Sequence, residues 1–216
     1  MPFEFFDPTQ DVYIRYGQLP HWEQPGATYF ITWRTADSIP ADVLRRWKVE
    51  RAVWLRQHAI DPLAADWREQ LRRLPRAARH DYHVRFTAAW MDCLDECHGE
   101  CVLRQAELSR IVAENLRYLD EREYLLAAFV VMPNHVHVLV QFPDEGQLGS
   151  RTKAWKHYTA TKINARLGTR GRFWQKESFD RLVRSPEQFE SLRSYIAANP
   201  QAAGLKPDDY PHYERP

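Results

Sequence analysis

The stretch that decides the fold reads Tyr124-Leu125-Leu126-Ala127-Ala128-Phe129-Val130-Val131-Met132, then Pro133-Asn134, then His135-Val136-His137-Val138-Leu139-Val140-Gln141-Phe142. The unbroken apolar run suits a central strand. Pro133-Asn134 interrupts it, because proline cannot donate to a strand ladder. A second strand resumes at His135, and Pro143-Asp144-Glu145-Gly146 ends it as a turn.

Working outward, Ala27–Thr35 is β-branched and aromatic throughout and predicts an earlier strand. A long helical stretch from about Ala41 to Tyr118 separates the two regions. Val43, Leu44, Trp47, Val53, Trp54 and Leu55 recur at helical spacing, as do Leu108, Ile111, Val112, Leu116 and Leu119. Pro62 and Pro75 divide it into several helices. Downstream come a helix from about Arg151 to Leu167, closed by Gly168 and Gly171, and a short strand at Arg181-Leu182-Val183-Arg184. A last helix opens on Ser185 as N-cap and Pro186 in its first turn, and Pro200 is expected to stop it. Residues 1–25, rich in proline and aromatics, read as an extended arm. This order predicts an α+β fold: a small antiparallel sheet with helices on one face.

The whole chain, 216 residues, fits one domain with a helical insertion. Apolar residues at 44% and charged residues at 27% allow a core and exclude wholesale disorder. No apolar run approaches the roughly 18 residues that span a bilayer, so no membrane is expected as a partner. No basic segment followed by an apolar one opens the chain, and three cysteines without such a signal point to reduced thiols in a cytoplasmic protein.

The formal net charge of +1 conceals segregation. Residues 1–149 hold 17 basic and 22 acidic side chains, whereas residues 150–216 hold 13 basic and 7 acidic. In the basic part Lys153, Lys156, Lys162, Arg170, Arg172, Arg181 and Arg184 are interleaved with Trp155, Tyr158, Phe173 and Trp174. Cations for phosphates plus aromatic faces for bases are the composition of a nucleic-acid groove. A solvated helix face is the competing reading.

His135-Val136-His137 is the sharpest chemical feature. Residues two apart on a strand share a face, so both imidazoles converge on one side while Val136, Val138 and Val140 fill the other. Two histidines so placed make half of a divalent-metal site. In the last helix Tyr195 and Asn199 are four apart and share a face, offering a phenol and an amide oxygen. Alone, such a pair reads as a packed tyrosine and a capping asparagine; it gains meaning only if that helix meets the histidine face. Cys93, Cys97 and Cys101 follow no zinc-ribbon spacing, and four-residue steps on a helix predict small side chains stacked on one face.

The segment Val131–Val140 resembles the His-hydrophobic-His motif of single-tyrosine HUH transposases, and more narrowly is similar to the transposases associated with repetitive extragenic palindromes. Lys156–Asn164, Arg172-Phe173-Trp174-Gln175, Phe179–Arg184 and Tyr195–Leu205 resemble the same family in the same order. The resemblance implies a ferredoxin-like sheet, the HUH endonuclease fold, with residues 37–104 as a helical insertion after the first strand. It implies His135 and His137 as metal ligands, Asn199 as a third, Mg²⁺ or Mn²⁺ as cofactor, and Tyr195 as nucleophile. Tyr158, also in a family-like motif, competes for that role.

The implied reaction is transesterification of single-stranded DNA beside a palindromic hairpin, through a 5′-phosphotyrosine, with Lys153, Lys156, Lys162, Arg170, Arg172, Trp174, Arg181 and Arg184 gripping the DNA. The same resemblance favours a monomer over a homodimer. A non-catalytic hairpin-binding regulator and a relaxase-type nickase are the alternatives.

Overall fold

The computed structural model describes residues 3–16, 20–88, 93–94, 96–206 and 209–216. The expected arm at 1–2 and 17–19 and the expected helical stretch at 89–92 and 95 lie outside the described residues. The chain divides into two compact units, one of residues 1–38 with 100–216 and one of residues 39–99.

The first unit opens on a hairpin: β1 (Tyr13–Tyr16) pairs antiparallel with β2 (Pro20–Glu23). An extended arm was expected there. Short strands without alternating hydrophobicity carry too weak a period to be read. Then follow β3 (Thr28–Arg34), α4 (Ala106–Tyr118), β4 (Leu125–Val131), β5 (His135–Gln141), α5 (Gln147–Leu167), β6 (Phe179–Leu182), α6 (Pro186–Ala202) and β7 (His212–Glu214). The sheet order β6-β3-β5-β4-β7 is antiparallel throughout. From β3 to β6 this is the βαββαβ arrangement of a ferredoxin-like fold, with β7 added at the β4 edge. β5 is the middle strand.

Alternation divides the sheet faces, apart from an irregularity of β4 between Leu126 and Ala128. Tyr29, Ile31 and Trp33 of β3, Phe129 and Val131 of β4, and Val136, Val138 and Val140 of β5 join one core cluster. Leu108, Val112 and Leu116 of α4 and Trp155 and Ile163 of α5 complete it. Each fully buried valine or leucine contributes about 1.5–3 kcal/mol relative to exposure, so this face anchors the unit. Gly146, at φ +76°, turns the chain from β5 into α5, as the Pro-Asp-Glu-Gly signal predicts.

The last helix starts as expected. Ser185 Oγ accepts from the Gln188 amide at 3.2 Å, and Pro186 occupies the first turn. It ends later than expected, because Pro200 lies inside α6 and the helix continues to Ala202. A proline this close to a C-terminus removes only one late donor, and Leu205 N closes the end on Pro200 O at 2.9 Å. The C-terminal edge strand β7 carries no readable period either. Arg215 holds it in place, donating from Nη2 to both Asp120 carboxylate oxygens at 2.7 Å.

The second unit, described by itself, is helical: α1 (Ala41–Gln57), α2 (Trp67–Arg73), α3 (Arg76–Tyr82) and a π-helical stretch at His83–Ala88. Trp54, Leu55 and Ile60 form a small core with Trp67, Leu71, Leu74, Tyr82 and Phe86 around it. Trp54 Nε1 donates to Asp81 Oδ2 at 2.7 Å, satisfying its buried indole. The prolines divide the stretch as expected, Pro75 serving as N-cap of α3. No helix among the described residues is long and apolar enough to cross a membrane.

Candidate active site

On the face opposite the α4–α5 layer, β5 presents His135 and His137, both fully buried. Their Nε2 atoms are 3.0 Å apart. Each ring is oriented from behind. Asn134 Oδ1 lies 2.7 Å from His135 Nδ1, and Thr32 Oγ1 lies 2.7 Å from His137 Nδ1. With Nδ1 held by Asn134, the His135 ring turns its Nε2 atom toward His137. Burial, and then the neighbouring His135, hold the His137 ring well below the ordinary histidine range, so it stays neutral.

Thr32 stands in register opposite His137, and Arg34 opposite His135. By alternation both share the histidine face, as does Phe30, whose ring stacks on His137 at 5.3 Å. Arg34 is itself buried and donates from Nη1 to Ser38 Oγ at 2.9 Å. Thr32, Arg34 and Asn134 escape a reading centred on the His-x-His motif. The signal that finds Thr32 and Arg34 is the alternation Phe30-x-Thr32-x-Arg34 of β3 once β3 and β5 are paired; Asn134 immediately precedes His135.

Helix α6 crosses this same face. The Tyr195 hydroxyl lies 3.5 Å from His137 Nε2, and its ring meets His137 edge-on at 5.2 Å and Phe30 at 6.0 Å. Asn199, one turn later on the same helical face, is buried. The condition set by the sequence is met: the tyrosine helix does meet the histidine face. Tyr158 is elsewhere. It is 48% exposed on α5, whose inner residues Trp155 and Ile163 pack on the valine side of the sheet.

The basic residues divide differently from expectation. Lys153, Lys162, Arg170, Arg172, Arg181 and Arg184 are exposed. Arg181 pairs in register with Phe30 and therefore shares the histidine face. The loop carrying Arg170 and Arg172 returns to the sheet end where His135 begins, since Thr35 bridges to Trp174 and Gln175 N donates to Arg34 O at 2.9 Å. Trp174 itself corrects the stacking expectation. It is 4% exposed in the core, its Nε1 donating to Thr159 Oγ1 at 2.9 Å. Trp155 is buried in the same cluster, so the cations face solvent while these aromatics pack inward.

Lys156 is half-buried and donates to Lys176 O at 2.8 Å. Burial lowers its ammonium to about 8, with Glu177 opposing and Arg34 reinforcing the shift. Between about 8 and the unfolded value the unfolded chain binds more protons, so stability rises with pH across that window. Lys156→Met is expected to remove this pH dependence. Thermal unfolding followed from pH 7 to pH 10 checks it, the wild type gaining on the variant as pH rises.

Residues 101–199 match the model of the IS200-like transposase family. That segment includes β4, β5, α5, β6 and the tyrosine of α6. A solved structure described as "Structure of the REP associates tyrosine transposase bound to a REP hairpin" is similar at 15% identity, covering 91% of this chain and 76% of that one, with a TM-score of 0.42. No curated protein matches the chain.

Proposed function

We propose that the chain is a metal-dependent single-strand DNA transesterase that cleaves and rejoins DNA beside palindromic hairpins. Tyr195 is the nucleophile, and His135, His137 and Asn199 hold the metal. The observation that carries this reading is the Tyr195 hydroxyl, 3.5 Å from a histidine whose Nε2 is 3.0 Å from a second histidine Nε2.

The donor set fits a divalent ion. Two imidazole nitrogens, their Nε2 atoms 3.0 Å apart, and an amide oxygen would hold a divalent ion, assigned as Mg²⁺ or Mn²⁺. Bound there, it would polarise the scissile phosphate and stabilise charge developing on it. The chain supplies the rest. Tyr195 Oη, held by the edge contacts of its ring with Phe30 and His137, attacks phosphorus. The Oη–P bond forms, the P–O3′ bond breaks, and the departing 3′-oxygen takes up a proton as the tyrosine gives one to solvent. The ester bond is conserved in the phosphotyrosine, so a 3′-OH can reverse the step and join strands without ATP.

Arg181 on the histidine face, and Arg170 and Arg172 at the His135 end of the sheet, would neutralise backbone phosphates beside that centre. Lys153, Lys156 and Lys162 on α5 are assigned to the hairpin stem. Residues 37–104 are taken as an insertion in a protein acting as a monomer in the cytoplasm.

The test is a hairpin-bearing single strand, 5′-labelled, incubated with Mn²⁺. Release of a labelled fragment whose 3′-OH a polymerase extends supports the reading. Hairpin binding without cleavage under any divalent metal decides instead for a regulatory DNA-binding protein.

Thr32 and Asn134 orient the histidines. Thr32→Val and Asn134→Ala are each expected to weaken metal affinity or cleavage ~10–100-fold. Titration of cleavage against Mn²⁺ checks this, the midpoint moving to higher metal while hairpin affinity stays constant.

A further inference from the structure

The cysteine stretch does not pack as its spacing predicts. Residues 93 and 94 are helical, but Cys97 has φ +54° and Cys101 φ +51°, left-handed values that side chains other than Gly, Asn and Asp seldom adopt. A continuous helix would carry residue 98 about 140° around the axis from residue 93. The left-handed turn instead swings it back. As a result one ligand atom each of Cys93, Glu96 and His98 lie within 4.8 Å of one another. His98 Nε2 and Glu96 Oε2 are 2.7 Å apart, and Cys93 is buried beside Ile39 and Leu94.

We propose that Cys93, Glu96 and His98 form a zinc site in the helical unit, separate from the histidine pair of β5. An exposed His–Glu pair by itself contributes little, and packing accounts for a buried cysteine. Neither accounts for thiol, carboxylate and imidazole converging across a left-handed residue. The donors decide the metal. A thiolate with an imidazole and a carboxylate suits Zn²⁺ and disfavours Mg²⁺ and Mn²⁺, which prefer oxygen. On binding, the Cys93 S–H proton is released to solvent and the S–Zn bond replaces it, while the His98 imidazole and the Glu96 carboxylate contribute lone pairs. Three protein ligands leave a fourth tetrahedral position for water. The site ties residues 93, 96 and 98 together and so couples zinc to the stability of the helical unit.

The full chain is stripped with a chelator and loaded with Co²⁺ as a spectroscopic stand-in, then with Zn²⁺. Expected are a thiolate-to-cobalt charge-transfer band, its displacement by Zn²⁺, and one zinc per chain retained after removal of the other site in His135→Ala/His137→Ala. The band is lost in Cys93→Ser and His98→Ala and kept in Cys97→Ser. Glu96→Gln, on an exposed side chain, raises the zinc dissociation constant at least ~10-fold, with unchanged far-ultraviolet circular dichroism. No band in the wild type overturns the site, as does a band that survives Cys93→Ser or vanishes in Cys97→Ser. Cleavage activity enters none of these readings, so failure of the transesterase proposal leaves them intact.

Discussion

Tyr195→Phe is expected to abolish covalent capture of a hairpin-bearing single strand, whereas Tyr158→Phe leaves it at the wild-type level. The substitution removes one oxygen and keeps the ring, so the edge contacts with Phe30 and His137 survive. Binding of the hairpin and the melting temperature are therefore expected to stay unchanged, while cleavage falls at least ~10³-fold, as when an enzyme loses its nucleophile. Tyr158 cannot substitute. It projects from α5 on the far side of the sheet, under a Lys162 ammonium 5.6 Å from its ring. Gel separation of protein–DNA adducts from free strand checks both variants together.

The second large effect is expected at the histidines. His137→Ala removes a fully buried ring that touches Thr32, His135, Phe30 and Tyr195. Loss of a direct ligand should exceed the ~10–100-fold cost of losing an outer partner. Cleavage should therefore fall by more than Thr32→Val lowers it, and added Mn²⁺ should not restore it. Chelation of the wild type should reproduce the loss, and resupply of Mn²⁺ should reverse it. Strand cleavage measured across a Mn²⁺ series separates the two: the chelated wild type recovers and His137→Ala does not. Fluorescence anisotropy on a labelled hairpin shows whether binding persists in both.

Much of the sheet was legible because it is built on strong periods. The apolar run at 124–132, the His-Val-His-Val alternation and the Ser185-Pro186 cap each carry a signal local to a few residues. Together they place β4, β5 and the start of α6 where the structure has them. The convergence of Tyr195 with the histidines was not local. It depends on α6 crossing the face left open by α4 and α5, which no spacing within α6 encodes.

Elements without a period escaped. The β1–β2 hairpin and edge strand β7 are too short to alternate measurably, and β7 pairs with β4, far along the chain. Pro200 was read as a stop because proline breaks helix interiors, yet near a terminus the missing donor matters little. Trp174 illustrates the opposite failure. Composition placed it with the cations of a nucleic-acid groove, but its indole is satisfied by Thr159 inside the core. The cysteines misled because their spacing was counted on a continuous helix, whereas Cys97 and Cys101 both have left-handed backbones.

The central claim is that Tyr195 forms a 5′-phosphotyrosine at the histidine centre. Its most direct test is peptide mapping of the adduct formed with a 3′-labelled hairpin strand in Mn²⁺. Expected is a single modified peptide containing Tyr195, carrying the downstream, 3′-labelled fragment through its 5′-phosphate. A phosphonucleotide on Tyr158, or cleavage that leaves every tyrosine unmodified, would contradict it.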